Sequence, residues 1–129
     1  MKHDNLSDAL ASINNATRVG NEKATIEPAT DQLKNVLLML QQEGYIGVFE
    51  LVEDGKGGKF KAEVTGNINT CQPVKPNFFV GSNDYTKWAK RYLPARNFGH
   101  LLITTSKGVM THEDAQEHNI GGKLLGYIY

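Results

Sequence analysis

The stretch Gly99–Ala115, GHLLITTSKGVMTHEDA, decides how the chain folds. Leu101, Leu102 and Ile103 form a short apolar run, which predicts a buried strand. The hydroxyls of Thr104 and Thr105 follow, then Ser106, Lys107 and Gly108, then Val109 and Met110. Thr111 with Asp114 fits the Ser/Thr-x-x-Asp/Glu pattern, in which the hydroxyl satisfies orphan amides of a first helical turn. The expectation is a rigid strand and a rigid helix flanking the loop Thr104–Gly108, which carries three hydroxyls, one ammonium and one glycine. Such a loop offers donors and acceptors to a phosphate, a ribose or a base edge. It contains no carboxylate or imidazole to run acid–base chemistry.

On the C-terminal side, a short helix is expected from about His112 to His118, then a turn at Gly121-Gly122 and a last strand ending in Tyr127 and Tyr129. On the N-terminal side, Asp84 is placed to cap a helix carrying Tyr85, Trp88 and Tyr92, which Leu93-Pro94 ends. Aromatics at this spacing fit core packing better than a stacking platform. Lys87, Lys90 and Arg91 fall on the remaining face, free to meet phosphate. Gly66, Pro73, Pro76 and Gly81 interrupt short β-prone pieces around Asn67–Cys71 and Phe78–Val80, and this change of texture marks a subdomain boundary.

The first half has a different grammar. Leu6, Ala9, Leu10 and Ile13 recur at helical spacing, predicting a helix from near Asp4 to Thr17, with Asp4 or Ser7 as its cap. Between Glu22 and Glu27, Ala24 and Ile26 alternate with outward polar residues, a half-buried strand. Thr30 is an N-cap for a helix to Glu43 with the stripe Leu33, Val36, Leu37 and Leu40, and Gly44 as its stop. Strands follow at Tyr45–Val52 and Phe60–Thr65. The glycine-rich Glu53–Lys59 between them lacks a Walker ending before a helix, so it reads as a hairpin connection. The predicted fold class is α+β with two small subdomains: an N-terminal α-β-α-β-β layer over residues 1–65, and a mostly β C-terminal subdomain with short helices over 66–129 that carries the main loop.

At 129 residues the chain is long enough to bury a core. Its longest uninterrupted apolar run, Val36–Leu40, is far short of the roughly 20 residues that span a bilayer, and MKHDNLSDAL lacks the apolar stretch of a signal peptide. Cys71 is the only cysteine, which excludes an internal disulfide and fits a reducing, cytoplasmic home. Formal net charge is zero, but it is unevenly spread. Met1–Val64 holds seven basic and ten acidic residues, whereas Thr65–Met110 holds Lys75, Lys87, Lys90, Arg91, Arg96 and Lys107 against Asp84 alone. A solvated basic face and a nucleic-acid surface account for this cluster equally well.

Catalytic signals are weak. His112 and His118 are six apart and do not share a helical face, and Cys71 has no partner cysteine, so no metal site is expected. Glu113 and Asp114 sit where acids favour a helix dipole. No nucleophile–base order stands out, so no catalytic residue and no cofactor is assigned. Two other readings are an enzyme holding a phosphorylated small molecule in Thr104–Gly108, and an adaptor that uses the apolar closing strand.

The order Gly-x-x-Leu-Ile-Thr-Thr-x-x-Gly-Val-Met-x-x-x-x-Ala from Gly99 to Ala115 resembles the signature of ribosomal protein eight of the small subunit. The resemblance covers nearly the whole chain: LSDALASINNA at Leu6–Ala16, GYIG at Gly44–Gly47 and GGKLLGYIY at Gly121–Tyr129 resemble further family motifs. WAKRYLPARNFG, Trp88–Gly99, is similar to an insertion of the archaeal and eukaryotic branch. The resemblance implies a structural constituent of the small subunit, not an enzyme, with no cofactor and no membrane. It would bind the central domain of 16S-type ribosomal RNA beside neighbouring ribosomal proteins. It further implies that Thr104–Gly108 approaches an irregular helix in its minor groove. There Thr105 and Ser106 would bond sugars and base edges, Lys107 a phosphate, and Gly108 would let the backbone come close. Gly121, Gly122 and Lys123 would form a neighbouring surface, and Asn14, Asn15 and Arg18 would meet another RNA segment. The A-form minor groove is wide, shallow and lined with 2′-hydroxyls, so short hydroxyl side chains on a rigid loop suit it.

Overall fold

The computed structural model describes residues 5–27, 29–53, 55, 57–74, 77–95 and 98–129. Apolar spacing sets the helices. In α1, Asn5–Val19, the residues Ala9, Leu10, Ile13 and Ala16 form one buried stripe; its expected cap Asp4 lies outside the described residues. In α2, Asp31–Gln42, the stripe Leu33, Val36, Leu37 and Leu40 is buried together with Met39, and the Thr30 hydroxyl caps it by accepting from the Leu33 amide at 3.2 Å. Strand β1, Lys23–Ile26, buries Ala24 and Ile26 and exposes Lys23 and Thr25. The hairpin β2, Ile46–Val52, and β3, Lys59–Val64, completes an antiparallel sheet of order β1-β3-β2.

The C-terminal sheet is built from β4 (Cys71–Pro73), β5 (Phe79–Val80), β6 (His100–Thr105), β7 (Gly108–Thr111) and β8 (Gly122–Ile128), with helices α3 (Tyr85–Tyr92) and α4 (His112–Glu117). Its order is β4-β8-β6-β7, and β5 also pairs with β8. Three expectations change here. The segment after Thr105 is not a strand-to-helix loop: it is the turn of a β6–β7 hairpin, and Thr111 both ends β7 and caps α4, accepting from the Asp114 amide at 3.3 Å. The strand foreseen at Asn67–Cys71 runs instead through Pro73, which is tolerated because β4 is an edge strand where a missing N–H goes unnoticed. Asp84 occupies the cap position of α3, but its side chain bonds no helical amide. Its backbone (φ −106, ψ 2) is not the extended form that turns a capping side chain back onto the first turn.

Two cores result. The first unites α1, α2 and the N-terminal sheet with Cys71, Leu102, Leu125 and Ile128 from the second half. The other gathers Val74, Val80, Tyr85, Leu101, Ile103, Ala115 and Leu124, with Trp88 and Tyr92 of α3 packed against it. Strand β6 therefore buries Leu102 on one face and Leu101 and Ile103 on the other. A strand covered on both sides reads as an unbroken apolar run, as Leu101–Ile103 does. Each such side chain contributes about 1.5–3 kcal/mol on burial. The two sheets divide between Val64 and Cys71, and the first core stitches them together.

Candidate nucleic-acid interface

The hairpin tip is a small rigid device. Thr105 pairs with Gly108 across it, leaving Ser106 and Lys107 as the turn. The Thr105 hydroxyl accepts from the Lys107 amide at 3.0 Å and donates to the Gly108 carbonyl at 2.9 Å. Its proton is thereby committed to holding the turn. Gly108 has φ +107, while neither Ser106 nor Lys107 has positive φ, so the turn is closed by a glycine that a side chain would strain. A Cβ on Gly108 would meet open space, so conformation, not crowding, demands the glycine. Ser106 and Lys107 are exposed, and among the described residues neither side chain has a partner.

Strand pairing brings part of the expected site together. Lys123 lies directly opposite Thr104. Gly121 and Gly122 serve packing: a Cβ on Gly122 would overlap the Thr104 carbonyl oxygen, and one on Gly121 would sit 2.7 Å from the Val80 carbonyl oxygen. Only Lys123 of that trio presents an exposed polar side chain.

Other expected residues stand elsewhere. Lys87, Lys90 and Arg91 are exposed on α3, which covers the opposite face of the C-terminal sheet from Thr104 and Lys123. The Arg91 guanidinium lies 4.9 Å over the Trp88 ring, and Tyr92 stacks on Tyr127 at 5.3 Å. Asn15 and Arg18 are exposed on α1. Asn14, expected at the RNA, is instead buried, and its Oδ1 accepts from the Cys71 amide at 3.0 Å, so it ties α1 to β4. Lys75 lies outside the described residues.

Sequence spacing weighed His112 against His118, whereas the fold brings His112 to His100. His100 bridges Glu113, through Nδ1, and Glu43, through Nε2 at 3.2 Å, with Tyr45 edge-on at 5.7 Å. Nitrogen and carboxylate atoms of His100, His112 and Glu113 all fall within 4.8 Å, a set able to hold a metal. The His112 Nδ1 lone pair, however, accepts from the Leu101 amide at 3.0 Å. The ring proton of neutral His112 is then on Nε2, and ligation would cost that hydrogen bond. The cluster is a polar bridge between the α2 end and the start of α4. Burial lowers the His112 pKa, opposed by Glu113 and reinforced by His100. Burial also pushes the Cys71 thiol up to about 12, which makes it inert, and does the same to Tyr45 with help from Glu43 and Glu113.

The sequence matches the family model of ribosomal protein S8 over residues 4–129. The chain belongs to the ribosomal protein S8 family. It is 47% identical over 127 residues to the small ribosomal subunit protein uS8 of Halorubrum lacusprofundi, covering 98% of each chain. It is also 48% identical over 126 residues to that of Methanococcoides burtonii, covering 98% of this chain and 97% of the relative, and 43% identical over 127 residues to that of Haloarcula marismortui, covering 98% of each chain. S8 membership makes the chain a structural protein of the small ribosomal subunit and not an enzyme, which ends the phosphorylated-substrate reading. All three relatives are archaeal, within the archaeal and eukaryotic branch to which the Trp88–Gly99 insertion pointed. No helix among the described residues is long and apolar enough to cross a membrane.

Proposed function

We propose that this S8 protein binds the central domain of 16S-type ribosomal RNA directly and organises its folding during small-subunit assembly, in the cytoplasm and beside neighbouring ribosomal proteins. The observation that carries the reading is the hairpin tip. Ser106 and Lys107 are exposed, and have no side-chain partner among the described residues, on a turn that Thr105 and Gly108 hold fixed. A preformed tip loses little freedom on binding, so more of its hydrogen bonding appears as affinity. Ser106 offers a short hydroxyl to sugars and base edges of a shallow minor groove, and Lys107 and Lys123 offer charge to the flanking phosphates. Lys87, Lys90 and Arg91 bind a second RNA strand from the far face of the sheet. Residues 1–65 form the subdomain that rests on another RNA segment through Asn15 and Arg18, and residues 66–129 form the one that carries recognition.

Footprinting of the purified protein on small-subunit RNA tests this. Protection is expected at an irregular helix of the central domain, weakened by Ser106→Ala. Protection confined to other domains, or none at all, would overturn the reading.

A further inference from the structure

We propose that Phe79 is a base-stacking residue that extends the RNA site across the sheet and holds an unpaired base next to the helix read by the hairpin. The inference rests on the RNA-binding reading and deepens it.

Register is the first argument. Val109 pairs with Thr104, Thr104 with Lys123, and Lys123 with Phe79. Residues directly opposite each other in antiparallel pairs project from the same face. A hydrophobe, a hydroxyl, an ammonium and a phenyl ring therefore form one row across β7, β6, β8 and β5. The face is that of Leu102, which the first core covers farther along the sheet. Along the row the cover stops beyond β7: Val109 still packs on the first core and Thr104 is half-buried, whereas Lys123 and Phe79 are open to solvent.

Exposure is the second argument. Phe79 is 71% exposed, the largest value among the large hydrophobic side chains of the described residues. Its neighbours in the strand are used differently: Val80 is fully buried in the second core, and Phe78 lies 5.2 Å from Trp88. Phe79 does neither. Its ring edge lies near Gly121, but among the described residues Phe79 belongs to neither core.

Chemistry selects the occupant. A flat ring beside an ammonium and a hydroxyl matches a nucleotide taken piecewise: base on ring, phosphate on Lys123, sugar or base edge toward Thr104 and Ser106. Unpaired bases stack on aromatic side chains without sequence preference, while paired bases in a helix offer no free face. An irregular helix supplies such a base where pairing is interrupted. A hydrophobic protein neighbour would gain nothing from Lys123 in the centre of the row.

The test uses the full-length protein and a central-domain RNA fragment carrying 2-aminopurine at its unpaired positions, one at a time. Quenching of one such position on binding is expected, lost with Phe79→Ala and kept with Phe79→Tyr. Affinity should fall about fivefold to a hundredfold in Phe79→Ala, as base–aromatic stacking energies imply. The loss should be the same at low and high salt, and should shrink when the RNA is altered so that all bases pair. Because the side chain is exposed, the variant should melt like the parent.

If the parent binds the fragment but Phe79→Ala binds equally well with quenching intact, the stacking role is wrong while the hairpin reading stands. If Phe79→Ala binds RNA normally but enters reconstituted subunits poorly, the ring meets a protein neighbour and the proposal is overturned. If the parent fails to bind the fragment, the RNA-binding reading falls, and this inference falls with it.

Discussion

Removing the Asn14 carboxamide separates scaffold from recognition at the scale of one residue. Asn14→Ala leaves the Cys71 amide buried without its acceptor, which costs about 1–3 kcal/mol. Urea unfolding should show that loss, while RNA affinity per folded molecule stays that of the parent. A large affinity loss at unchanged stability would return Asn14 to the interface. His112 makes a separate prediction, for acid. Its folded pKa is lowered by burial, so the unfolded chain binds the proton first. The stability it contributes is complete above the unfolded value of about 6.5 and is lost as pH falls toward the folded one. Protonation would also set an N–H against the Leu101 amide. Unfolding midpoints followed from pH 7.5 to 5 should drop less steeply for His112→Gln than for the parent; parallel curves would show that His112 is not the sensor. The sequence could not display either role. Asn14 reads as one more polar residue in a helix, and its partner is 57 positions away.

The β6–β7 hairpin is the element to which the proposed recognition is assigned, and it was half legible. The apolar run and the Thr111 cap were plain, because burial on both faces and the hydroxyl three residues before Asp114 leave marks in the sequence. The strand Gly108–Thr111 was not. It has four residues, opens on a glycine, and sets Val109 and Met110 side by side because each serves a different core, so no alternation survives. The hairpin also gives two neighbouring residues opposite behaviour. On the proposed reading, Ser106→Ala removes a hydroxyl that would face a sugar or base edge, and the RNA group left unpaired would cost about 1–3 kcal/mol, up to roughly a hundredfold in affinity. No counterion is involved, so the loss persists at high salt. Lys107→Ala would remove the proposed phosphate contact, and its deficit should shrink as salt rises. Neither touches the Thr105 bonds that close the turn, so circular dichroism should be unchanged in both. A folded Ser106→Ala protein that binds like the parent at three salt concentrations would reduce the tip to a plain connection.

For the whole molecule, charge is what the sequence displayed best and the fold redistributed most. The described cations of the basic segment counted along the chain do not form one surface. Lys107 and Lys123 belong to the hairpin end of the sheet, whereas Lys87, Lys90 and Arg91 ride on α3 over the opposite face. A single RNA helix lying on the hairpin could reach the first pair alone. Each neutralised phosphate lowers log K against log salt by about 0.7–0.9, so that mode would give a slope on the order of −1.5 to −2. RNA that wraps to α3 recruits the other three cations, and the slope becomes about −3 to −5. We expect the steeper value, because the exposed cations of α3 have no acidic partner among the described residues and the helix contains no acid of its own. Neutralising Lys87, Lys90 and Arg91 together should then flatten the slope by about 2–3 while leaving the Ser106→Ala penalty intact. Should the parent already give the shallow slope and the triple variant not change it, the α3 face does not touch RNA. A slope near zero would remove electrostatics from recognition altogether, leaving binding to the hairpin hydroxyl and the groove it fits.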